Sequence, residues 1–222
     1  MSEAAVQEQS ASTGGMLTSR VGSVVALMPL GVWTTWHLWE NLGAWAGADA
    51  WEETVSRPGA TGASTLVSVL VFLPLILHTM WGARRLKMMK PNGYKTFGNA
   101  KYLLQRLSAL GVLGFLFAHI YLARIKPTFS AQGYESFEDI SAHMRHHPPT
   151  LIVYVLGVLG TAYHLSNGIY TASFIYGLAA SPKASRRMQV ISLAFFVLLL
   201  VFGWGAVAGL YQAGAQYAPP LD

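Results

Sequence analysis

The sequence Gly160-Thr-Ala-Tyr-His-Leu-Ser-Asn-Gly168 decides the fold, because it places a histidine inside a long apolar run. An ionisable side chain in such a run is costly unless another group binds it. Three further apolar runs each carry one histidine of the same kind: His37, His78 and His119. Four helices with one inward histidine each predict two pairs of ligands inside a helical bundle.

Composition places the chain among integral membrane proteins. Of its 222 residues, 53% are hydrophobic and only 11% are charged, which is about half of the charged fraction of a soluble domain. Between short polar blocks lie apolar runs of about 20 residues, the length that crosses a bilayer. The lack of cysteine excludes disulfides, iron–sulfur ligation, thiolate zinc sites and covalently attached c-type haem. Any haem in this protein is therefore held non-covalently.

Five apolar runs predict an all-α membrane protein with five transmembrane helices. We place these helices at about residues 19–42, 63–82, 102–125, 148–180 and 188–210. The predicted membrane domain covers residues 19–212, with a polar connection at 126–147 and a short basic turn at 183–187. Residues 1–18 lack the basic start and apolar core of a signal peptide and predict a disordered tail. Residues 213–222 predict a short polar tail.

The distribution of basic residues predicts the orientation in the membrane. With the N-terminus inside, only four of the fifteen Lys and Arg fall on the outer side: Arg57, Arg124, Lys126 and Arg145. Such an excess on one side is the positive-inside pattern of bacterial membrane proteins. We therefore predict a protein of the bacterial cytoplasmic membrane, with its N-terminus in the cytoplasm and its C-terminus outside. The net charge of +5 reflects topology in a lipid bilayer and does not indicate nucleic-acid binding.

Depth along the helices predicts which histidines meet. Each helical residue rises about 1.5 Å, so His37 and His119, late in outward-running helices, lie near the outer face. His78 is late in an inward-running helix and lies nearer the cytoplasm. Depth alone does not place His164, which pairs with His78 by elimination.

Two neutral imidazoles that face each other across a bundle fit the axial positions of a haem iron. The two pairs predict two stacked haem b groups inside four of the five helices, and filled axial positions favour electron transfer over oxygen chemistry. Glycines beside the histidines leave volume for a flat porphyrin: Gly111, Gly114, Gly160 and Gly168. For any single intramembrane histidine, the alternative is a hydrogen bond between helices. A small transporter or structural membrane protein with proton-relaying histidines is the non-redox alternative.

Polar residues at the inner ends of the spans are candidates for contacts with the anionic haem propionates. Arg20, Ser23, Gln105 and Arg106 lie where they would meet an inner haem. The alternative is that these residues anchor the helices by reaching to the lipid headgroups.

Several motifs, in order along the chain, are similar to those of one family. They are Arg20-x-x-Ser23, Pro29-x-Gly31 before His37, Phe72-Leu-Pro-Leu before His78, Leu104-Gln-Arg-Leu before His119, and His164-x-Ser-Asn-Gly168. Over about residues 19–210 the chain resembles the di-haem cytochrome b membrane anchors of succinate:quinone oxidoreductases, the five-span b558 type. The resemblance implies that the four histidines are axial haem ligands, and that a flavoprotein and an iron–sulfur subunit dock on the cytoplasmic side.

The resemblance also implies a path for electrons in a succinate dehydrogenase, respiratory complex II. Electrons pass from succinate through flavin, iron–sulfur centres and the inner haem to the outer haem, near which menaquinone is the usual acceptor. This chain then carries electron transfer and quinone chemistry, and the partner subunits oxidise succinate. Glu40, the acidic residue nearest the membrane, and Trp36 are the candidate quinone contacts at the outer face. An aromatic belt is the alternative explanation for Trp36.

Some fumarate reductases of this family carry a glutamate two residues before the fourth histidine. Ala162 stands at that position, which favours succinate oxidation. The alternatives are the same subunit in a quinol:fumarate reductase and a cytochrome b subunit of a hydrogenase or formate dehydrogenase.

Overall fold

The computed structural model describes residues 19–59, 65–87 and 97–220. The predicted disordered tail, residues 1–18, lies outside the described residues. Throughout the described part the regular secondary structure is helical, and five of its helices are long and apolar enough to cross a membrane. The predicted all-α membrane fold with five spans is confirmed.

Seven helical elements follow one another along the described chain. They are α1 (Ser19–Ala46), α2 (Ala48–Val55), α3 (Thr65–Lys87), α4 (Phe97–Ile120), α5 (Phe137–His146), α6 (Pro148–Ile175) and α7 (Pro182–Ala213). The spans are α1, α3, α4, α6 and α7. Short turns of other helix types extend three of them: Leu42–Ala46 within α1, Tyr121–Ile125 and Lys126–Phe129 after α4, and Gly214–Gln216 after α7.

Pro29 explains an irregular turn in the first span. Proline has no backbone N–H, so it removes one hydrogen bond of the helical ladder. Around it, residues Ala26–Gly31 form a π-helical turn and the α-helix resumes at Val32. The turn brings Gly31 against Leu165 of α6, where Gly31 is buried. The irregularity therefore lies where the first span approaches α6.

Several span boundaries differ from the prediction, among them the end of α3 at Lys87 and the start of α4 at Phe97. The fourth span ends at Ile175 instead of near residue 180, and Gly177 follows with a φ of +73°, a conformation that ends helices. The last span begins at Pro182, because the Ser181 hydroxyl accepts a hydrogen bond from the N–H of Ala184 and proline suits the first helical position. The predicted basic turn at 183–187 is therefore wrong, since these residues form the first turns of α7.

Two short helices that we did not predict form a cap on one end of the bundle. We call α2 and α5 the cap, and the end of the bundle that they cover the cap end. The Ser136 hydroxyl accepts from the N–H of Asp139 and starts α5 inside the predicted polar connection. Phe137 and Met144 of α5 are buried with Trp51 of α2 in the main hydrophobic core. The connecting segments thus contribute part of the packed core.

Helix packing arranges the spans around α6, which lies between α4 and α7. The first span packs against α3 through Ala26–Gly31 and against α7 through Val32–Asn41. The end of the bundle opposite the cap carries exposed cations, and we call it the basic end. Its exposed basic side chains include Arg20, Arg84, Lys183, Arg186 and Arg187. The four histidines therefore lie on α1, α3, α4 and α6, and α7 supports α1 and α6 from outside.

Candidate functional site

The four span histidines form two contacts between helices. At the cap end, the rings of His37 on α1 and His119 on α4 lie with centroids 5.9 Å apart and planes inclined by 62°. Toward the basic end, the rings of His78 on α3 and His164 on α6 lie 6.2 Å apart and are inclined by 69°. The histidines that meet are those paired in the sequence analysis, His37 with His119 by depth and His78 with His164 by elimination. Their role as ligands stays a prediction.

The spacing within both pairs fits a metal held between two imidazoles. A bond from a metal to an imidazole nitrogen measures about 2 Å. Two such bonds, with each ring centre about 1 Å behind its nitrogen, separate the centroids by about 6 Å. Among the described residues, no group of three or more His, Cys, Asp or Glu is placed to hold a bare metal ion. Two facing imidazoles suit haem instead, because the porphyrin supplies the other four nitrogens.

The glycines named for porphyrin space fall into two kinds. A Cβ atom added to Gly111 or Gly114 of α4 meets nothing within 4 Å. A Cβ atom added to Gly160 or Gly168 of α6 would contact side chains of α4 at 3.5 and 3.8 Å, which are ordinary packing distances. Open space therefore lies beside α4, and the two glycines of α6 serve helix packing.

Aromatic rings stack on both histidines of the cap-end pair. Trp33 stacks on His37 with centroids 5.6 Å apart, and Phe115 stacks on His119 at 5.4 Å. Gly157 of α6 makes room for Phe115, because a Cβ at that position would overlap the phenyl ring. Gly157 has no signature in the sequence, since its importance depends on which ring of α4 faces it.

His164 contacts two polar side chains of α4, and Asn167 of α6 bonds to one of them. The Nε2 atom of Gln105 lies 3.2 Å from Nδ1 of His164 and donates to the His164 carbonyl at 3.1 Å. Asn167 donates to Oε1 of Gln105 at 2.8 Å, and Oγ of Ser108 lies 3.3 Å from the same Nδ1 atom. The Gln105 amide is thus engaged between α4 and α6, and its predicted propionate contact stays a prediction.

The other three histidines differ in their polar neighbours. Nδ1 of His119 lies 3.2 Å from the Tyr154 hydroxyl. Asn41 donates to the His37 carbonyl at 2.8 Å, whereas its contact with Nε2 of the ring is long, at 3.5 Å. Nδ1 of His78 is buried without a hydrogen-bond partner among the described residues. Ser108, Tyr154 and Asn41 were missed from the sequence, although each is a polar side chain in an apolar span.

The propionate candidates lie at the basic end in different environments. The Arg20 side chain is exposed, and its carbonyl accepts from the Tyr176 hydroxyl at 2.8 Å. Ser23 donates to a carbonyl of its own helix at 2.9 Å. The Arg106 guanidinium lies over the ring of Tyr102 at 5.0 Å, and its buried Nε has no partner among the described residues. Arg106 therefore has a free donor of the kind that an anion would satisfy.

Glu40 and Trp36 lie one helical turn apart on α1, near the cap. Trp36 is 51% exposed and lies beside the Glu40 carboxylate. Oε2 of Glu40 is buried without a partner among the described residues. The pair thus combines an exposed indole with a carboxylate oxygen that has no partner among the described residues, at the cap end of α1.

Charged side chains fasten the cap. Glu52 accepts from Nε of Arg57 at 3.1 Å, and Asp49 accepts from the same guanidinium at 2.9 Å. The hydrogen bond from Arg57 to Asp49 is the main reason why the pKa of Arg57 is raised above its ordinary value. Burial, assisted by the charge of Asp139, raises the pKa of Glu135 to about 8. Glu135 is thus a carboxyl group that titrates near neutral pH at the cap end.

A hydrogen bond connects the cap to the histidine pair beneath it. The indole N–H of Trp51 in α2 donates to Oδ1 of Asn41 at 3.1 Å. Because Asn41 also bonds to the His37 carbonyl, the position of α2 bears on the helix that carries His37.

Comparisons with known proteins agree with this architecture. The sequence pattern of the succinate dehydrogenase/fumarate reductase transmembrane subunit matches residues 90–203, just over half of the chain and including His119 and His164. The chain is also similar to the succinate dehydrogenase cytochrome b558 subunit of Bacillus subtilis (strain 168). The two are 28% identical over 191 residues, which cover 85% of this chain and 93% of the relative. The chain belongs to the family of succinate dehydrogenase and fumarate reductase transmembrane subunits.

Proposed function

We propose that this chain is the di-haem cytochrome b membrane anchor of a succinate:menaquinone oxidoreductase. The observation that carries the proposal is the two histidine pairs, with ring centroids 5.9 and 6.2 Å apart at two depths of one bundle. Haem b, when bound, supplies a one-electron carrier at each depth. Each pair would hold a haem with one imidazole on each face, and a haem held in this way would supply electron transfer rather than oxygen chemistry.

The residues of this chain have distinct parts in that proposal. His37 and His119 hold the haem at the cap end, and His78 and His164 hold the haem nearer the basic end. At the basic end, Arg106 offers to a propionate its Nε, which has no partner among the described residues. Arg20 and Ser23 are further propionate candidates at that end.

The basic end is proposed to face the cytoplasm, where the flavoprotein and iron–sulfur subunits dock. The exposed cations Lys183, Arg186 and Arg187 in the first turns of α7 support this orientation through the positive-inside rule. The N-terminus is then cytoplasmic, and the cap and the C-terminus face outward from a bacterial cytoplasmic membrane. Electrons enter at the basic end and leave at the cap end.

Menaquinone is proposed to react near the cap-end pair. Glu40 supports this location, because its buried and unsatisfied Oε2 provides an acceptor for a proton or for a hydroxyl group. Trp36 provides an exposed aromatic surface beside it. In this role Glu40 exchanges the protons that accompany quinone reduction, and Trp36 orients the ring.

Succinate oxidation is favoured over quinol:fumarate reduction by one residue. Ala162, two residues before His164, is fully buried and offers no carboxylate for a proton path through the membrane. Within the fourth span, the described residues before His164 include no acidic side chain. The proton chemistry is therefore assigned to the cap end.

Spectroscopy and co-purification test the proposal. Reduced-minus-oxidised spectra of the purified protein are expected to show b-type bands with two components. The complex is expected to contain a flavin-bearing partner, and succinate is expected to reduce the bands. A spectrum without b-type bands would exclude the haem reading. A nickel or molybdenum partner would assign the chain to a hydrogenase or formate dehydrogenase instead.

Single histidine variants test the assignment of the pairs. His37→Ala and His78→Ala are expected to remove different haems, each leaving about half of the b-type absorbance. His146→Ala is the control, because His146 lies on the cap and bonds to the Tyr217 carbonyl, away from both pairs. Retention of both haems in both span variants would overturn the assignment.

A further inference from the structure

Helices α4 and α6 each carry one paired histidine and one hydroxyl group that reaches the histidine of the other helix. Oγ of Ser108 on α4 lies 3.3 Å from Nδ1 of His164 on α6. The hydroxyl of Tyr154 on α6 lies 3.2 Å from Nδ1 of His119 on α4. The two helices run in opposite directions, and the spacing from hydroxyl to histidine is nearly the same in both. The contacts are therefore reciprocal, one at each depth.

The presence or absence of a proton on Nδ1 decides whether each histidine donates or accepts in these contacts. A neutral imidazole that binds a metal through Nε2 keeps its proton on Nδ1, and this N–H fixes the ring by donating to an acceptor. A hydroxyl oxygen has two lone pairs and can be that acceptor. An amide NH2 group can only donate. The partner that selects the metal-binding tautomer must therefore be an oxygen atom.

Gln105 is the other polar neighbour of His164, but it presents the wrong group. Its Nε2 donates to the His164 carbonyl at 3.1 Å, and its Oε1 accepts from Asn167 at 2.8 Å. Reversing this amide would set two oxygen atoms face to face at the His164 carbonyl. Gln105 thus places an NH2 group 3.2 Å from Nδ1. This group cannot accept the Nδ1 proton, and it donates to Nδ1 only in the opposite tautomer, so Gln105 and Ser108 favour different tautomers of His164. It fastens α4 to α6 instead.

Both hydroxyl oxygens carry lone pairs that can accept the Nδ1 proton. Ser108 uses its own proton to donate to the Gln105 carbonyl at 3.0 Å, which leaves its lone pairs for His164. The Tyr154 ring is 8% exposed and meets Phe115 edge to face at 5.5 Å. Phe115 also stacks on His119, so one phenyl ring holds both partners of that hydrogen bond in place.

The two partner histidines have no such acceptor among the described residues. Nδ1 of His78 is buried without a partner among the described residues. The polar side-chain contact of the His37 ring is at Nε2, where the NH2 of Asn41 lies 3.5 Å away. Each pair therefore joins one imidazole with a hydroxyl acceptor to one without. Both of the supported imidazoles belong to the α4–α6 helix pair.

We propose that Ser108 and Tyr154 are positioning residues that fix the tautomers of His164 and His119 and tune the two haems separately. The proposal rests on the proposed function, because it concerns histidines that bind haem. A hydrogen bond donated by Nδ1–H increases the electron density at Nε2, which favours the oxidised form of a bound iron. Removing an acceptor is therefore expected to favour the reduced form at one depth only.

A redox titration of the intact complex tests this inference. Ser108→Ala is expected to shift only the component that His78→Ala removes, and Tyr154→Phe only the component that His37→Ala removes. Loss of one hydrogen bond changes an equilibrium by about tenfold, which for a one-electron carrier corresponds to about 59 mV toward more positive potential. Ser108→Thr keeps a hydroxyl group and is expected to restore the original potential.

Two matched variants control for the loss of a hydroxyl group as such. Ser173→Ala removes a hydroxyl that bonds only within α6, to the Tyr170 carbonyl. Tyr163→Phe removes a buried hydroxyl that has no partner among the described residues. Both are expected to leave both potentials unchanged.

The outcomes separate this inference from the proposed function. Unchanged potentials in both Ser108→Ala and Tyr154→Phe would overturn it, and so would equal shifts of both components in either variant. Absence of b-type bands from the unmodified protein would defeat the proposed function itself. The redox titration can therefore contradict this inference while the optical spectrum still supports the proposed function.

Discussion

Glu52 accepts a 2.8 Å hydrogen bond from the backbone N–H of Phe137, so a carboxylate of α2 caps the first turn of α5. The first N–H groups of a helix have no partner within the helix, and a negative charge there is favourable. Glu52 is only 8% exposed, and its second oxygen accepts from Arg57. This one side chain therefore joins the two helices of the cap.

Replacing Glu52 is expected to loosen the cap. Glu52→Ala leaves a buried N–H unsatisfied, which costs about 1–3 kcal/mol, and it also frees Arg57. Glu52→Gln keeps an acceptor and is expected to cost less. Thermal unfolding of the solubilised protein measures the effect, with Glu53→Ala as an exposed control on the same helix. Equal melting temperatures for the two alanine variants would contradict this role.

Gly157→Ala is expected to disturb the cap-end pair. The added methyl group overlaps the ring of Phe115, which stacks on His119, and such overpacking costs about 1–3 kcal/mol. We expect lower thermal stability and weaker retention of the cap-end haem, measured by melting and by haem content. Gly160→Ala is the control, because its methyl group has an ordinary 3.5 Å contact.

A second change distinguishes overlap from a general effect of the glycine. Phe115→Leu in the Gly157→Ala background removes part of the clashing ring and is expected to recover stability. If the double variant is as unstable as the sum of the two single variants, the clash is not the cause.

Glu135 gives the cap a pH dependence. Burial raises its folded-state pKa to about 8, above the 4.5 of the free side chain. Between these two values the folded protein keeps a proton that the unfolded chain releases. The free energy of unfolding therefore falls as the pH rises through this window and is constant above it.

The variant Glu135→Gln is expected to remove this dependence and to raise the melting temperature most at alkaline pH. Melting curves at about pH 5, 7 and 9 bracket the window. Glu138→Gln, an exposed neighbour in α5, is the control. The assignment would be refuted if the melting temperature of the parent protein rose between the first and last of these pH values and rose less in Glu135→Gln.

Glu40→Gln tests proton exchange at the proposed quinone site. Loss of a positioned acid or base slows a proton-coupled step by about 100-fold or more. We expect a slow succinate:menaquinone reaction, while succinate oxidation with an artificial acceptor at the partner subunits stays normal. Trp39→Phe, an exposed tryptophan on the same helix that packs on Phe202, serves as the control. A normal menaquinone rate in Glu40→Gln would exclude this carboxylate.

The five spans and the pairing of the histidines followed from the sequence because both depend on local properties. A span is recognised from the length and hydrophobicity of one run. The depth of a histidine needs only its position in that run and the rise per residue. His37, His78 and His119 could therefore be assigned to a level before any helix was packed against another.

The cap helix α5 also had a helix signal in the sequence, but the polar composition of the segment obscured it. Ser136 and Asp139 have the spacing of a helix start, and Phe137, Ile140 and Met144 recur at helical intervals. The segment was predicted as a polar connection because its charged residues dominate the composition. The buried face of this helix is recognisable only in the tertiary structure, in which Trp51 of α2 packs against Phe137.

The tertiary structure alone decided which polar side chain meets which histidine. Ser108 reaches His164 across 56 positions of the chain, and Tyr154 reaches His119 across 35. These contacts depend on the rotation of each helix about its axis and on the antiparallel register of α4 and α6. Hydrophobicity does not report that rotation in a membrane, since the side facing lipid is as apolar as the side facing protein. The sequence by itself determined the spans and the levels of His37, His78 and His119. The packing of α4 on α6 determined which polar side chains contact His119 and His164.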